Sequence, residues 1–116
     1  MAIDFDGVDS LFEYSNKIQE LANEVHRFRN NSRTQLSQEE RATLKSYEYR
    51  LRRDATTIAT DAGIDLLTRL QPQLAILKEG IEKADSLLQN IDAAKDVISA
   101  ITEVFTAVTN VFALLK

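Results

Sequence analysis

Only four positions in this chain of 116 residues hold a helix breaker: Gly7, Gly63, Pro72 and Gly80. Helix formers fill the intervals and no segment shows the two-residue alternation of a strand, so the pattern predicts an all-α protein. With eight aromatic residues and no Trp, the core has to come from Leu, Ile, Val and Ala meeting as stripes along helices. A chain this long is expected to form one domain over residues 1–116.

Asp9 or Ser10 can cap a first helix over about 9–30, in which Leu11, Tyr14, Ile18, Leu21, Val25 and Phe28 recur at steps of three and four. Ser37-Gln38-Glu39-Glu40 then forms a capping box, with Glu three residues after Ser, and opens a second helix. Its apolar positions, Leu44, Tyr47, Leu51, Ala55, Ile58, Ala62, Leu66 and Leu70, carry it to about 71. They repeat at eleven rather than seven, the period of a nearly straight helix packed in a bundle.

Pro72 suits the first turn of a following helix, where a missing N–H costs nothing. From there Leu77, Ala84, Ile91, Ile98, Phe105 and Phe112 repeat every seven residues, with Leu87, Ala94, Ile101, Val108 and Leu115 three positions on. The unbroken heptad favours one helix over 73–116, about 65 Å long. The expected architecture is therefore an antiparallel helical bundle of three long helices, elongated and oligomeric because the last overhangs the others. A break at 89–92, with Asn90 ending one helix and Asp92 capping the next, gives four helices instead.

Most site chemistry lacks its residues. With no Cys there are no disulfides, thiolate metal sites or thiol nucleophiles. The single His26 sits beside the seam positions Val25 and Phe28 and points off the core, and a helical di-iron site needs two Glu-x-x-His pairs. The three glycines stand too far apart for a phosphate loop, and no Gly-x-Ser-x-Gly elbow is present. The expectation is a protein that is not an enzyme and needs no cofactor or metal.

The net charge of −4 hides an acid–base–acid pattern. Residues 1–25 and 54–116 are acidic, whereas 26–53 carry Arg27, Arg29, Arg33, Arg41, Lys45, Arg50, Arg52 and Arg53 against Glu39, Glu40 and Glu48. This basic patch maps to one end of the first hairpin. It either binds an anion or is met by acids of the same chain, with Asp92, Asp96 and Glu103 as candidates, and the acidic whole weighs against nucleic acid.

Val97–Leu115 holds one charge, Glu103, in nineteen residues. Ten large aliphatic or Phe residues contribute about −3 to −6 kcal/mol to membrane insertion, against about 3 for Glu103 and more for Ser, Thr and Asn. The balance near zero argues against permanent insertion. Ser99, Thr102, Glu103, Thr106, Thr109, Asn110 and Ala113 form a narrow polar or small stripe opposite a wide apolar one.

The functional expectation is a protein-interaction module, a scaffold, adaptor, chaperone or immunity-type partner, acting through this C-terminal helix and by self-association. Its interaction residues are Ile98, Ile101, Thr102, Phe105, Thr106, Val108, Phe112 and Leu115. The competing expectation is a membrane-active protein that inserts 97–115. The acidic start lacks a signal-peptide pattern, so a cytoplasmic location is expected, with signal-less export as the other route.

Overall fold

The computed structural model describes residues 3–5, 11–31, 36–61, 67–89 and 94–115; the side chains of Leu11, of 60–70, and of Ala94 and Leu115 lie outside the description. Four helices follow in order: α1 (Leu11–Asn31), α2 (Gln38–Asp61), α3 (Leu67–Leu87) and α4 (Ala94–Leu115). They form an all-α, antiparallel four-helix bundle. Its radius of gyration is 13.9 Å, where a compact chain of this size has about 13 Å.

Two of the three predicted helices are divided. The stretch expected as one helix over 38–71 ends at Asp61 and restarts in the opposite direction at Leu67, with Gly63 between them. Pro72 does not open α3 but is its sixth residue, exposed to solvent, where it removes one i→i−4 hydrogen bond. The stretch 73–116 is not continuous either: α3 stops at Leu87 and α4 begins at Ala94. The last turn tightens, with Leu88 N donating to Ala84 O at 3.0 Å and Gln89 N to Ser86 O at 3.3 Å. Asn90, Ile91 and Asp92 lie outside the described residues.

The reason is length matching. A heptad seam reads the same whether one helix carries it or two helices each carry half, provided the connection preserves the phase. Helices of 21, 24, 21 and 22 residues are each about 32–36 Å long. All four can thus bury their stripes against one another, and the overhang that implied an elongated molecule disappears.

Each hairpin, α1–α2 and α3–α4, is the closely packed unit, and the two join through α2 against α4 and α1 against α3. Among the described residues the backbones of α1 and α4, and of α2 and α3, do not come close, so these pairs are diagonal and α1 and α3 share one side of the bundle and α2 and α4 the other. The seams meet in the middle. Ile18, Leu21 and Val25 of α1, Leu44, Leu51 and Ile58 of α2, Leu77 and Ile81 of α3, and Val97, Ile101 and Val104 of α4 are fully buried. The capping box closes as its residues require, with Ser37 N on Glu40 Oε1 at 2.9 Å and Glu40 N on Ser37 Oγ at 3.0 Å.

Ahead of α1, residues 3–5 lie along α3. Ile3 and Phe5 are buried, Ile3 N donates to Asp85 Oδ2 at 2.7 Å, and the Phe5 ring meets Tyr14 at 5.8 Å. This segment seals the seam between α1 and α3.

Candidate association surface

The interaction residues read from the sequence separate into three groups on α4. Ile101 and Val108 are fully buried and belong to the chain's own core. Ile98, Phe105 and Phe112 flank that core: Phe105 is 3% exposed and faces α2, and Ile98 and Phe112 are half-buried. Thr102 and Thr106 are exposed. Leu115 is helical, with its side chain outside the description. The most deeply buried row of α4 is Val97, Ala100, Ile101, Val104, Ala107, Val108 and Val111, one step round from the heptad 98/105/112.

Phe105 is covered by α2. Tyr47 packs edge-on against its ring at 5.1 Å between centroids, and the Arg50 guanidinium lies 4.1 Å over its face. Tyr47 also places its hydroxyl 3.4 Å from Thr102 Oγ1. These contacts cover a Phe that the sequence offers to a partner.

The polar stripe of α4 faces outward as expected: Ser99, Thr102, Glu103, Thr106, Thr109, Asn110 and Ala113 are all exposed. Thr102, Thr106 and Thr109 hydroxyls donate to the carbonyls of Ile98, Thr102 and Phe105, one turn back, at 3.0, 3.2 and 2.9 Å. Beside this stripe runs a shallow cleft of about 430 Å³ between α3 and α4, lined by Ile76, Glu79, Gly80, Lys83, Glu103, Thr106, Ala107 and Asn110. The helices approach closely here. A Cβ on Gly80 would stand 3.3 Å from Val104 Cγ2. At one end Lys83 pairs with Glu103 at 3.2 Å, and Ile76 leaves 51% of its surface in water. Sequence reading passed over Ile76 because it falls off the heptad, and treated Gly80 as a breaker; its place seven residues before the heptad position Leu87 was the available signal.

The described basic residues are spread over two helices and more than one side: Arg27 and Arg29 lie on α1, and on α2 Arg52 turns to α1 while Arg50 lies over Phe105 of α4. Arg27 pairs with Glu24 at 3.1 Å, Arg29 Nε with Glu48 Oε2 at 2.6 Å, and Arg52 donates to Gln19 Oε1 at 3.1 Å. Arg50 and Arg53 stand 3.9 Å from Asp54, Lys45 is exposed, and Arg33 lies outside the described residues. Arg41 is half-buried, its Nε without a hydrogen-bond partner. The acids that answer the patch are therefore Glu24, Glu48 and Asp54 of the first hairpin. Glu103, one of the acids expected to meet it, turns to Lys83 instead.

Glu48 was missed as a structural residue, although it stands in the apolar row between Leu44 and Leu51. It is buried and accepts from both Arg29 and His26, whose Nδ1 is 2.9 Å from Oε1. Asn30 Nδ2 lies 3.0 Å from His26 Nε2. Arg29 Nη2 also lies 3.3 Å from His26 Nδ1, and through these contacts His26 is a surface clasp between α1 and α2. Burial pushes the Asp54 carboxyl above the ordinary Asp range, and Arg50 and Arg53 offset part of that rise.

Among the described residues no three His, Cys, Asp or Glu side chains come together to hold a metal ion. No family model matches the chain, and neither a curated protein nor a solved structure is found to resemble it.

Proposed function

We propose that the protein is a non-enzymatic helical interaction module, of the scaffold, adaptor, chaperone or immunity-partner kind, that works by association, including with itself. The observation that carries this reading is the α3–α4 cleft. Gly80, Thr106 and Ala107 give it a small-residue floor beside the charged Glu79, Lys83 and Glu103, half-exposed Ile76 borders it, and the backbones beneath already approach closely at Gly80 and Val104. An apolar edge beside small, internally bonded side chains suits a helix laid along it.

Light scattering coupled to size exclusion tests it. The expected result is a mass above the 13.1 kDa of one chain that grows with concentration and falls when Ile76→Arg and Thr106→Arg are combined. Both positions are exposed, so the fold should survive, which circular dichroism verifies. A wild-type protein that stays monomeric at the highest soluble concentration overturns the self-association part.

A second reading, membrane activity, has one specific support. Lys95–Leu114 is a helix of 20 residues with mean hydropathy 1.7, long and apolar enough to cross a bilayer, and 44% of that window is buried in the bundle. Core helices of water-soluble proteins have the same character. Because α4 supplies part of the core, its deletion would destroy the fold, and the test uses the intact chain: flotation with anionic vesicles and dye release at acidic and neutral pH. No binding and no leakage removes this reading.

A further inference from the structure

We propose that residues 3–5 act as a clasp on the α1–α3 edge of the bundle, and that its release lets the two hairpins part there while α2 stays against α4. The inference concerns one chain by itself and stands apart from the association reading.

The two edges where hairpin meets hairpin are built differently. On the α2–α4 edge the helices hold each other directly: Tyr47 lies edge-on to Phe105 at 5.1 Å, Arg50 stands 4.1 Å over the same ring, and the Tyr47 hydroxyl is 3.4 Å from Thr102 Oγ1. Along the α1–α3 edge, α3 carries Lys78, Glu82 and Asp85, a row at steps of four and three on one face. Burial, and after it the Glu82 carboxylate across the seam, push the phenol of Tyr14 in α1 above the ordinary Tyr range. A charged row offers few apolar contacts, and the segment ahead of α1 supplies them. It alternates as an extended chain does, with Ile3 and Phe5 buried and Asp4 between them exposed. Ile3 N donates to Asp85 Oδ2 at 2.7 Å, while the Phe5 ring lies 5.8 Å from Tyr14 of α1 and 5.7 Å from Lys78 Nζ of α3. A segment that belongs to the first hairpin thereby grips the second.

The grip is held by a narrow margin. With Ile3 seated, Asp85 is 4% exposed and its Oδ1 has no hydrogen-bond partner among the described residues. The closed state therefore keeps a buried carboxylate with one oxygen unmet. Against that cost, and against the entropy of ordering the segment, stand one hydrogen bond and two apolar side chains. Proteins open locally between supersecondary units, and each hairpin here keeps its own close packing when the edge parts. The open form brings the inner faces of α1 and α3 to water and the closed form withholds them, so residues 3–5 set how often the core is accessible.

The test measures distances in the full-length chain. It has no Cys, so pairs of introduced cysteines at exposed positions take spin labels for pulsed electron resonance. Asn16→Cys with Ser86→Cys spans the α1–α3 edge, Ser46→Cys with Ser99→Cys spans α2–α4, and Asn16→Cys with Ser46→Cys stays within the first hairpin. Adding Ile3→Ser and Phe5→Ser should raise the longer-distance population of the α1–α3 pair at least about tenfold, from the loss of two buried side chains, and leave the other two pairs unchanged. Asp85→Ala, which removes only the acceptor, should move the same pair in the same direction. Ile3→Val with Phe5→Leu, which keeps the apolar contacts, should stay with the parent. Unchanged α1–α3 distances in both disruptive variants overturn the clasp, and equal broadening of all three pairs overturns opening along one edge. If the Ile3→Ser/Phe5→Ser protein loses its helical circular dichroism, Asp85→Ala decides alone. The self-association test with Ile76→Arg and Thr106→Arg reads different residues and a different quantity, so either idea can fail while the other stands.

Discussion

The two hairpins of this bundle are held by different means. Between α1 and α2 the contacts are polar and directional: Glu48 with Arg29 and His26, Arg52 with Gln19, and buried Ser15 donating to Ala55 O at 2.8 Å. Between α3 and α4 the described cross-helix polar contact is the exposed Lys83–Glu103 pair, and the rest is aliphatic packing with the close approach at Gly80. Directional bonds fix register, because a slip of one residue leaves a buried carboxylate without its donors. Apolar stripes fix which faces meet but discriminate less between neighbouring registers. The first hairpin is thus a rigid frame, and the second is the half better able to adjust to a partner.

The largest effect should come from breaking the second hairpin. Ile101→Ala removes a fully buried side chain from the middle of α4 and should cost about 2–5 kcal/mol, read by denaturant unfolding. A loss below that range would mean α4 relaxes into the space, sharpening the contrast. Next, Glu48→Ala in the first hairpin should cost about 1–3 kcal/mol by the same measurement, because its donors Arg29 and His26 reach water and are only partly stranded. If Glu48→Ala equals Ile101→Ala, the difference between polar and apolar hairpins fails.

The smallest effect concerns Asp54, and its sign matters more than its size. Its folded-state carboxyl holds a proton to higher pH than the unfolded one, so the contribution of Asp54 to stability is fully present below the ordinary carboxylate range and is lost as pH rises through the raised value. Asp54→Asn should therefore be the more stable protein at neutral pH, with the difference shrinking on acidification. A variant less stable at pH 7 would show that Arg50 and Arg53 outweigh burial and that Asp54 belongs to the polar frame.

Seams and caps were legible because they depend on residues three and four apart. Ile18, Leu21 and Val25, and the reciprocal Ser37–Glu40 bonds, follow from local sequence alone. The break between α3 and α4 was legible only as the alternative at 89–92, because a heptad phase carried across 88–93 mimics continuity, and the boundary between α2 and α3 was misplaced at Pro72, which lies inside α3. Nor was the answer to the basic segment visible. That Glu48 turns inward to α1, and that α4 rather than a partner receives Tyr47 and Arg50 on Phe105, depends on which helices become neighbours. The outward stripe of α4 was readable and its cleft was not, because a cleft needs the second helix.

The three α4 threonines have a further consequence. Each hydroxyl already donates to a carbonyl one turn back along the same helix. Stripping water from the stripe therefore strands no threonine proton, and the usual desolvation penalty of about 1–3 kcal/mol for an unsatisfied buried donor does not arise at these positions. At these three positions a partner can exclude water at low cost, whereas Glu103 and Asn110 of the same stripe need partners of their own when buried.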